Sequence, residues 1–209
     1  MNVARKRARN TGAVVLAAGM GTRLGALTSS TRKALIKVAG GPLILRGLDF
    51  LRSGGVREIT VVGGYFFDEL KRTVREAHPD VRLAFNGDFK KGNIVTLRKG
   101  LKGFRGGNLF IMNVDHIYPH EMTARIFDSA GDIVACIDRD RTLTDDDMKV
   151  KENREGRLEK IAKTLSDYDC GYIGMTLVNS SGIKAYFDAF NHILKTTDGR
   201  ANVETVLGP

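Results

Sequence analysis

Val14-Val15-Leu16-Ala17-Ala18-Gly19-Met20-Gly21-Thr22-Arg23-Leu24, followed by Arg32-Lys33-Ala34-Leu35, is the stretch on which the reading of this chain turns. A short apolar run enters a glycine-rich turn, an arginine closes the turn, and a lysine follows ten residues later. A continuous apolar strand of this kind suits burial on both faces of a parallel sheet. Gly19 and Gly21 lack a Cβ and tolerate positive φ. Backbone N–H groups can then approach phosphate oxygens closely. Arg23 offers a planar fork of donors and Lys33 a compact point charge. Both suit the charge that builds as a phosphoanhydride breaks. Leu16, Ala17, Ala18, Gly19, Gly21, Thr22 and Arg23 are therefore the expected nucleotide-binding loop.

Two commoner glycine loops do not fit. The dinucleotide fingerprint requires G-x-G-x-x-G and an acid about 20 positions further on. Here Gly25 falls one position late, and Ile36-Lys37-Val38 stands where the acid belongs. A P-loop requires lysine directly after its last glycine, and neither Gly21 nor Gly25 is followed by one. The remaining alternative is a strand whose glycines only make a turn.

The chain has 209 residues, 42% hydrophobic and 27% charged, which fits one ordinary globular domain with a sizeable core. No run approaches the ~18 apolar residues of a membrane span. Met1 to Arg9 is basic, without the apolar core of a secretory signal. Residues 1–11 are expected to be a mobile basic arm and 12–209 a single domain. The net charge of +9 raises nucleic-acid binding as a possibility. Four of the positive charges lie in the arm and the rest look scattered, so phosphorylated small molecules are the favoured partners and nucleic acid is not. Cys136 and Cys170 read as reduced core residues of a cytoplasmic protein.

Apolar runs predict strands over 13–18, 59–62, 81–85, 109–114, 133–137 and 170–178. Periodicity predicts helices over 42–54, 67–77, 94–101, 121–130 and 182–194. Residues 148–152 and 157–163 read as antiparallel strands around a turn at Arg154-Glu155-Gly156. The alternation implies an α/β fold with a mostly parallel sheet and helices on both faces.

Asp115 directly follows the apolar run Leu109 to Val114. Ligands of open α/β sheets bind outside the carboxyl ends of the strands. An acid there suits Mg²⁺ against triphosphate oxygens or a simple turn, and the upstream glycine loop favours the metal. Asn93 caps the next helix or lines a nucleotide pocket. Asn86 and Gly63-Gly64-Tyr65 are weaker candidates for surrounding a base. His116 reads equally as a partner of Asp115 or as an exposed loop residue. Asp145-Asp146-Asp147 reads as a solvated loop, with a lid or second metal contact as the alternative. One of Lys149, Lys151 and Lys163 is a candidate for reaching a substrate phosphate.

L-A-A-G-M-G-T-R-L with K-A-L-I resembles the signature of the sugar-phosphate and alcohol-phosphate nucleotidyltransferases, over about Ala13 to Glu204. Asp115-His116-Ile117-Tyr118, Ile137-Asp138-Arg139-Asp140, Lys149-Val150, Ile161 to Leu165 and Tyr168 to Gly171 look most like the CTP:inositol-1-phosphate cytidylyltransferases. The phosphocholine cytidylyltransferases are similar but less close. The resemblance implies a Rossmann-like fold of the nucleotide-diphospho-sugar transferase type. It implies a Mg²⁺ cofactor on Asp115, catalytic roles for Arg23, Lys33 and Asp115, and a nucleotide-lining Asn93. It implies a nucleoside triphosphate and a phosphorylated acceptor as substrates. A homodimer and a functional link to a membrane CDP-alcohol transferase are further candidates, with no membrane span in this chain. Alternatives are sugar-1-phosphate transfer from UTP, dTTP or GTP, phosphocholine transfer from CTP, and a nucleotide-binding protein without catalysis. The family's second metal-side acid, in a motif near the C-terminus, has no counterpart before Gly208-Pro209. Either the chain is shortened or another acid substitutes.

Overall fold

The computed structural model describes residues 3–19 and 33–208. Gly21, Thr22 and Arg23 lie outside the described residues. The elements begin with α1 (Val3–Arg9), β1 (Thr11–Ala17), the small hairpin β2 (Lys37–Val38) and β3 (Gly41–Pro42), α2 (Leu43–Gly54), β4 (Glu58–Gly63) and α3 (Phe67–Ala77). They continue with β5 (Arg82–Phe85), α4 (Asn93–Leu101), β6 (Asn108–Asn113), α5 (Met122–Asp128) and β7 (Ile133–Asp138). The last are β8 (Lys149–Glu152), β9 (Leu158–Ala162), β10 (Cys170–Val178) and α6 (Ile183–Thr196).

β1 pairs in parallel with β4 on one side and β6 on the other, and β5 extends the row beyond β4. Its side chains alternate as period two requires. Ala13, Val15 and Ala17 join the core beneath α1, α2, α3 and α5. Val14 and Leu16 join the core beneath α4 and α6. Both faces are thus covered, as the expected α/β class demands. α2 follows Pro42 and stops at Gly55, whose φ of 99° supplies the left-handed cap. No helix among the described residues is long and apolar enough to cross a membrane.

β10 joins the row antiparallel and divides one of its edges. Met175 to Val178 pair with β6, whereas Cys170 and Gly171 pair with β8. Its other edge carries β7, with a register shift between Tyr172 and Thr176. Gly174, at φ 78°, stands at the changeover. The gap between β6 and β8 opens beside the carboxyl end of β6.

The expected mobile arm is instead a helix. Ala4 and Ala8 are buried on one face of α1, four residues apart as a helix requires. The Arg7 guanidinium donates to the carbonyls of Phe127 and Ser129, both at 2.9 Å. Two alanines among four cations carry almost no apolar signal in the sequence. Cys136 and Cys170 are buried free thiols, and burial pushes the Cys136 thiol up to about 12.

Gly100 sits inside α4, where a Cβ would lie 2.3 Å from Val14 Cγ1 and 3.0 Å from Val62 Cγ2. Both valines are stiff at χ1. Gly100→Ala is expected to destabilise the protein by about 1–3 kcal/mol by overpacking, despite alanine's better helix propensity. Urea unfolding checks this, and an unchanged midpoint would refute it.

Candidate functional site

A cleft of about 570 Å³ lies at the carboxyl ends of β1 and β6. Leu16 to Gly19 form its floor, and Lys33 enters from a single 3₁₀ turn, Lys33–Leu35. Gly92, Asn93 and Thr96 at the start of α4 line one wall. Arg141, Asp146 and Asp147, from the connection between β7 and β8, and Lys163, just after β9, also line the cleft. Gly64 packs tightly against two of the lining residues, since a Cβ there would lie 2.7 Å from both the Ala18 carbonyl oxygen and Phe89 Cβ.

Asp115 is the electrostatic centre. Lys33 Nζ donates to its Oδ2 at 2.5 Å, and His116 Nδ1 stands 2.9 Å from its Oδ1. Burial alone would raise the Asp115 carboxyl, but hydrogen bonds and charge from His116 and Lys33 outweigh it and hold the group well below the usual carboxylate range. His116 is not a loose loop residue. Its ring stacks on Tyr118 at 5.8 Å and 9°, and the Tyr118 hydroxyl donates to the Ile173 carbonyl.

Glu204 lines the same cleft and is 6% exposed. Burial raises its carboxyl and the negative charge of Asp115 adds to the effect, while hydrogen bonds from Asn113 and Asn93 oppose it. No cation among the described residues is ion-paired with it. The sequence resemblance extends to this residue and implies no role for it. A buried acid between Val203 and Val206, in a short 3₁₀ segment, was the available signal. The segment is stitched to the start of α4. Gly92 N–H donates to the Gly199 carbonyl at 2.9 Å, Ile94 N–H to the Ala201 carbonyl at 3.3 Å, and Val203 N–H to Asn93 Oδ1 at 2.7 Å.

Asn93 thus lines the cleft and tethers the segment that delivers Glu204. Asn86 does not line it, which corrects the expectation that it surrounds a base. It is fully buried; its Nδ2 donates to Thr96 Oγ1 and its Oδ1 accepts from the Asp88 N–H, both at 3.0 Å. Its amide fixes the β5–α4 loop. Tyr65 lies outside the cleft lining and packs against Phe66 and Phe89. Of the three strand lysines, Lys163 reaches the cleft. Lys149 donates to the Lys163 carbonyl at 3.2 Å, and Lys151 pairs with Asp167 and Asp169.

Asp115 and Glu204 offer two carboxylates at one cleft, and one of them has no described counter-charge. That donor set fits a hard divalent cation such as Mg²⁺, which takes one or two protein carboxylates and completes its shell with phosphates and water. Among the described residues no group of three or more His, Cys, Asp or Glu side chains could hold a metal ion by itself.

The family model for the MobA-like NTP transferase domain matches residues 13–172. The chain is 30% identical over 187 residues to the bifunctional IPC transferase and DIPP synthase of Aquifex aeolicus, covering 88% of this chain and 43% of that protein. It is 35% identical over 115 residues to the 2-aminoethylphosphonate cytidylyltransferase of Lancefieldella rimae, covering 54% of this chain and 46% of that protein. The chain thus spans less than half the length of these curated relatives. Its fold matches the inositol-1-phosphate CTP transferase of T. maritima with a TM-score of 0.79 at 20% identity, covering 96% of this chain and 80% of that one.

A Cβ on Gly92 would lie 1.9 Å from the Ala201 carbonyl oxygen, a backbone atom that cannot swing away. Gly92→Ala is expected to detach the 199–204 segment and with it Glu204. Hydrogen exchange at Ile94 and Val203 should rise sharply while the β1 amides stay protected. Unchanged exchange at both positions would show that the segment accommodates the methyl group.

Proposed function

The chain belongs to the MobA-like NTP transferase family, and on that premise we propose that it transfers a cytidylyl group from CTP to inositol 1-phosphate and releases pyrophosphate. The observation that carries the reading is the Lys33–Asp115 pair, 2.5 Å apart at the end of β6 and facing the end of β1. The names of the relatives support cytidylyl transfer. The 30% identity to an IPC transferase and the fold shared with an inositol-1-phosphate CTP transferase support the acceptor.

A phosphate oxygen of the acceptor attacks the α-phosphorus of CTP in line. The new P–O bond forms as the α–β bridge breaks, and the electron pair leaves on pyrophosphate. The nucleophile is already an anion, so no side chain has to remove a proton. The work left to the protein is positioning and charge stabilisation. Lys33, oriented by Asp115, neutralises charge at the α-phosphate. Arg23, outside the described residues, takes the β and γ phosphates on sequence grounds. Asp115 and Glu204 would hold Mg²⁺, which supplies Lewis-acid stabilisation of the phosphate oxygens. In this reading Glu204 is the second metal-side acid. Lys163, which also lines the cleft, takes the acceptor's phosphate.

Lys33→Ala and Asp115→Ala are each expected to lower pyrophosphate release by roughly 100-fold or more with the melting temperature little changed. The assay uses CTP and inositol 1-phosphate with Mg²⁺, and turnover near the parent's in either variant removes that residue from the mechanism. Glu204→Gln should shift the Mg²⁺ dependence of turnover to higher concentration. A dependence identical to the parent's would take Glu204 out of the metal site. Release with UTP or dTTP but not CTP would overturn the cytidylyl assignment.

A further inference from the structure

We propose that the acceptor's anionic group is received by a clamp of Arg141 and Lys163, which the ligand-free protein keeps filled with its own carboxylates, Asp147 and Asp146. The proposal rests on the nucleotidyl-transfer reading for the identity of the acceptor, but the clamp and its plug are physical features of the cleft. All four residues line the cleft. Arg141 Nη2 lies 2.6 Å from Asp147 Oδ1, and Lys163 Nζ lies 3.1 Å from Asp146 Oδ1. A carboxylate and one edge of a phosphate present the same pair of acceptor oxygens to such donors. Asp145 of the acidic run is solvent-exposed, while Asp146 and Asp147 turn to the two cations. This pair of carboxylates is a stand-in for the substrate's charge.

Two features make it a removable stand-in. Asp146 is 64% exposed and Lys163 31%, so their pair is largely screened by water. Exposed pairs shift an equilibrium by about fivefold at most. Asp147 is held more firmly, because its Oδ2 also accepts from the Thr144 N–H at 2.7 Å and the Thr144 hydroxyl at 2.9 Å. Those bonds keep the 144–147 turn folded when the guanidinium turns to a substrate. Lys163 is aimed from behind, where the buried Lys149 ammonium binds the Lys163 carbonyl. An arriving dianion exchanges two contacts to singly charged carboxylates for two to a doubly charged group, while a neutral alcohol gains nothing from the exchange. The plug thus sets a threshold that favours doubly charged phosphate or phosphonate acceptors.

The test is calorimetric titration of the full chain with inorganic phosphate at low ionic strength. Asp146→Asn keeps the side chain's shape and removes its charge. The dissociation constant for phosphate is expected to fall about two- to fivefold, and further in Asp146→Asn/Asp147→Asn. The gain of Asp146→Asn should vanish when Lys163→Ala is added, and the further gain of Asp147→Asn when Arg141→Ala is added, which separates this clamp from other cations of the cleft. In turnover assays the acceptor's KM should fall with the KM for CTP unmoved. An unchanged or higher dissociation constant in Asp146→Asn overturns the plug, and a raised acceptor KM would make the carboxylates substrate ligands. A parent protein that releases no pyrophosphate with any nucleotide and acceptor defeats the nucleotidyl-transfer reading, while the phosphate titration still decides the plug.

Discussion

A β-strand has one row of hydrogen-bonding groups on each side, and β10 splits one of its rows between two partners. β6 takes the segment Met175 to Val178, and β8 takes Cys170 and Gly171. β6 and β8 therefore cannot meet, and the space between them is where the cleft forms. Gly174, in its left-handed conformation, carries β10 across the changeover. A Cβ there would press on Asn113 and on the His116 ring, at 3.1 Å and 3.3 Å. The Tyr118 hydroxyl ties the same stretch of β10 to the loop that bears Asp115 and His116. The geometry of the acid and the topology of the sheet are set by one junction.

Charge in the cleft is arranged so that cations lie close to carboxylates. Lys33 pairs with Asp115, Arg141 with Asp147, Lys163 with Asp146, and Lys91 with Asp198. A polyanion-binding surface left with its cations unpaired would repel itself. Pairing relieves that repulsion in partly exposed geometries where each contact is weak and exchangeable. Glu204 departs from this arrangement, since its described partners are amides and it has been carried out of water. Desolvation of a charge is expensive unless a counter-charge is supplied. An acid kept at that cost suits a site completed by a cation from outside.

The core elements were legible because their signals are local. β10 spans Cys170 to Val178 and α3 spans Phe67 to Ala77, the ranges expected from apolar runs and periodicity. β1 extended two residues earlier than expected, to Thr11, because its first pairs are with Asn108 and Leu109 of β6. What escaped depended on partners distant in sequence. α1 is ordered by carbonyls at Phe127 and Ser129, over a hundred residues away. Asn86 and Asn93 look alike as loop amides after a strand or a glycine. One is consumed by Thr96 inside the protein and the other reaches the backbone of Val203. Glu204 reaches the cleft through that contact together with those of Gly199 and Ala201 to the start of α4. Lys33 and Asp115 were legible as chemistry, while the contact between them belongs to the fold.

The strap from Gly199 to Glu204 gives the site a calendar as well as a geometry. Chains emerge from the ribosome N-terminal end first, and structure accumulates in that order. A nascent chain extended through β10 already contains every strand of the sheet, Lys33 and Asp115. It still lacks the second acid, because Glu204 follows α6 and reaches the cleft only once Gly199 and Ala201 have paired with the start of α4. The carboxylate pair is therefore assembled only when the segment after α6 docks on α4, and a sheet without that docking has an unfinished cleft.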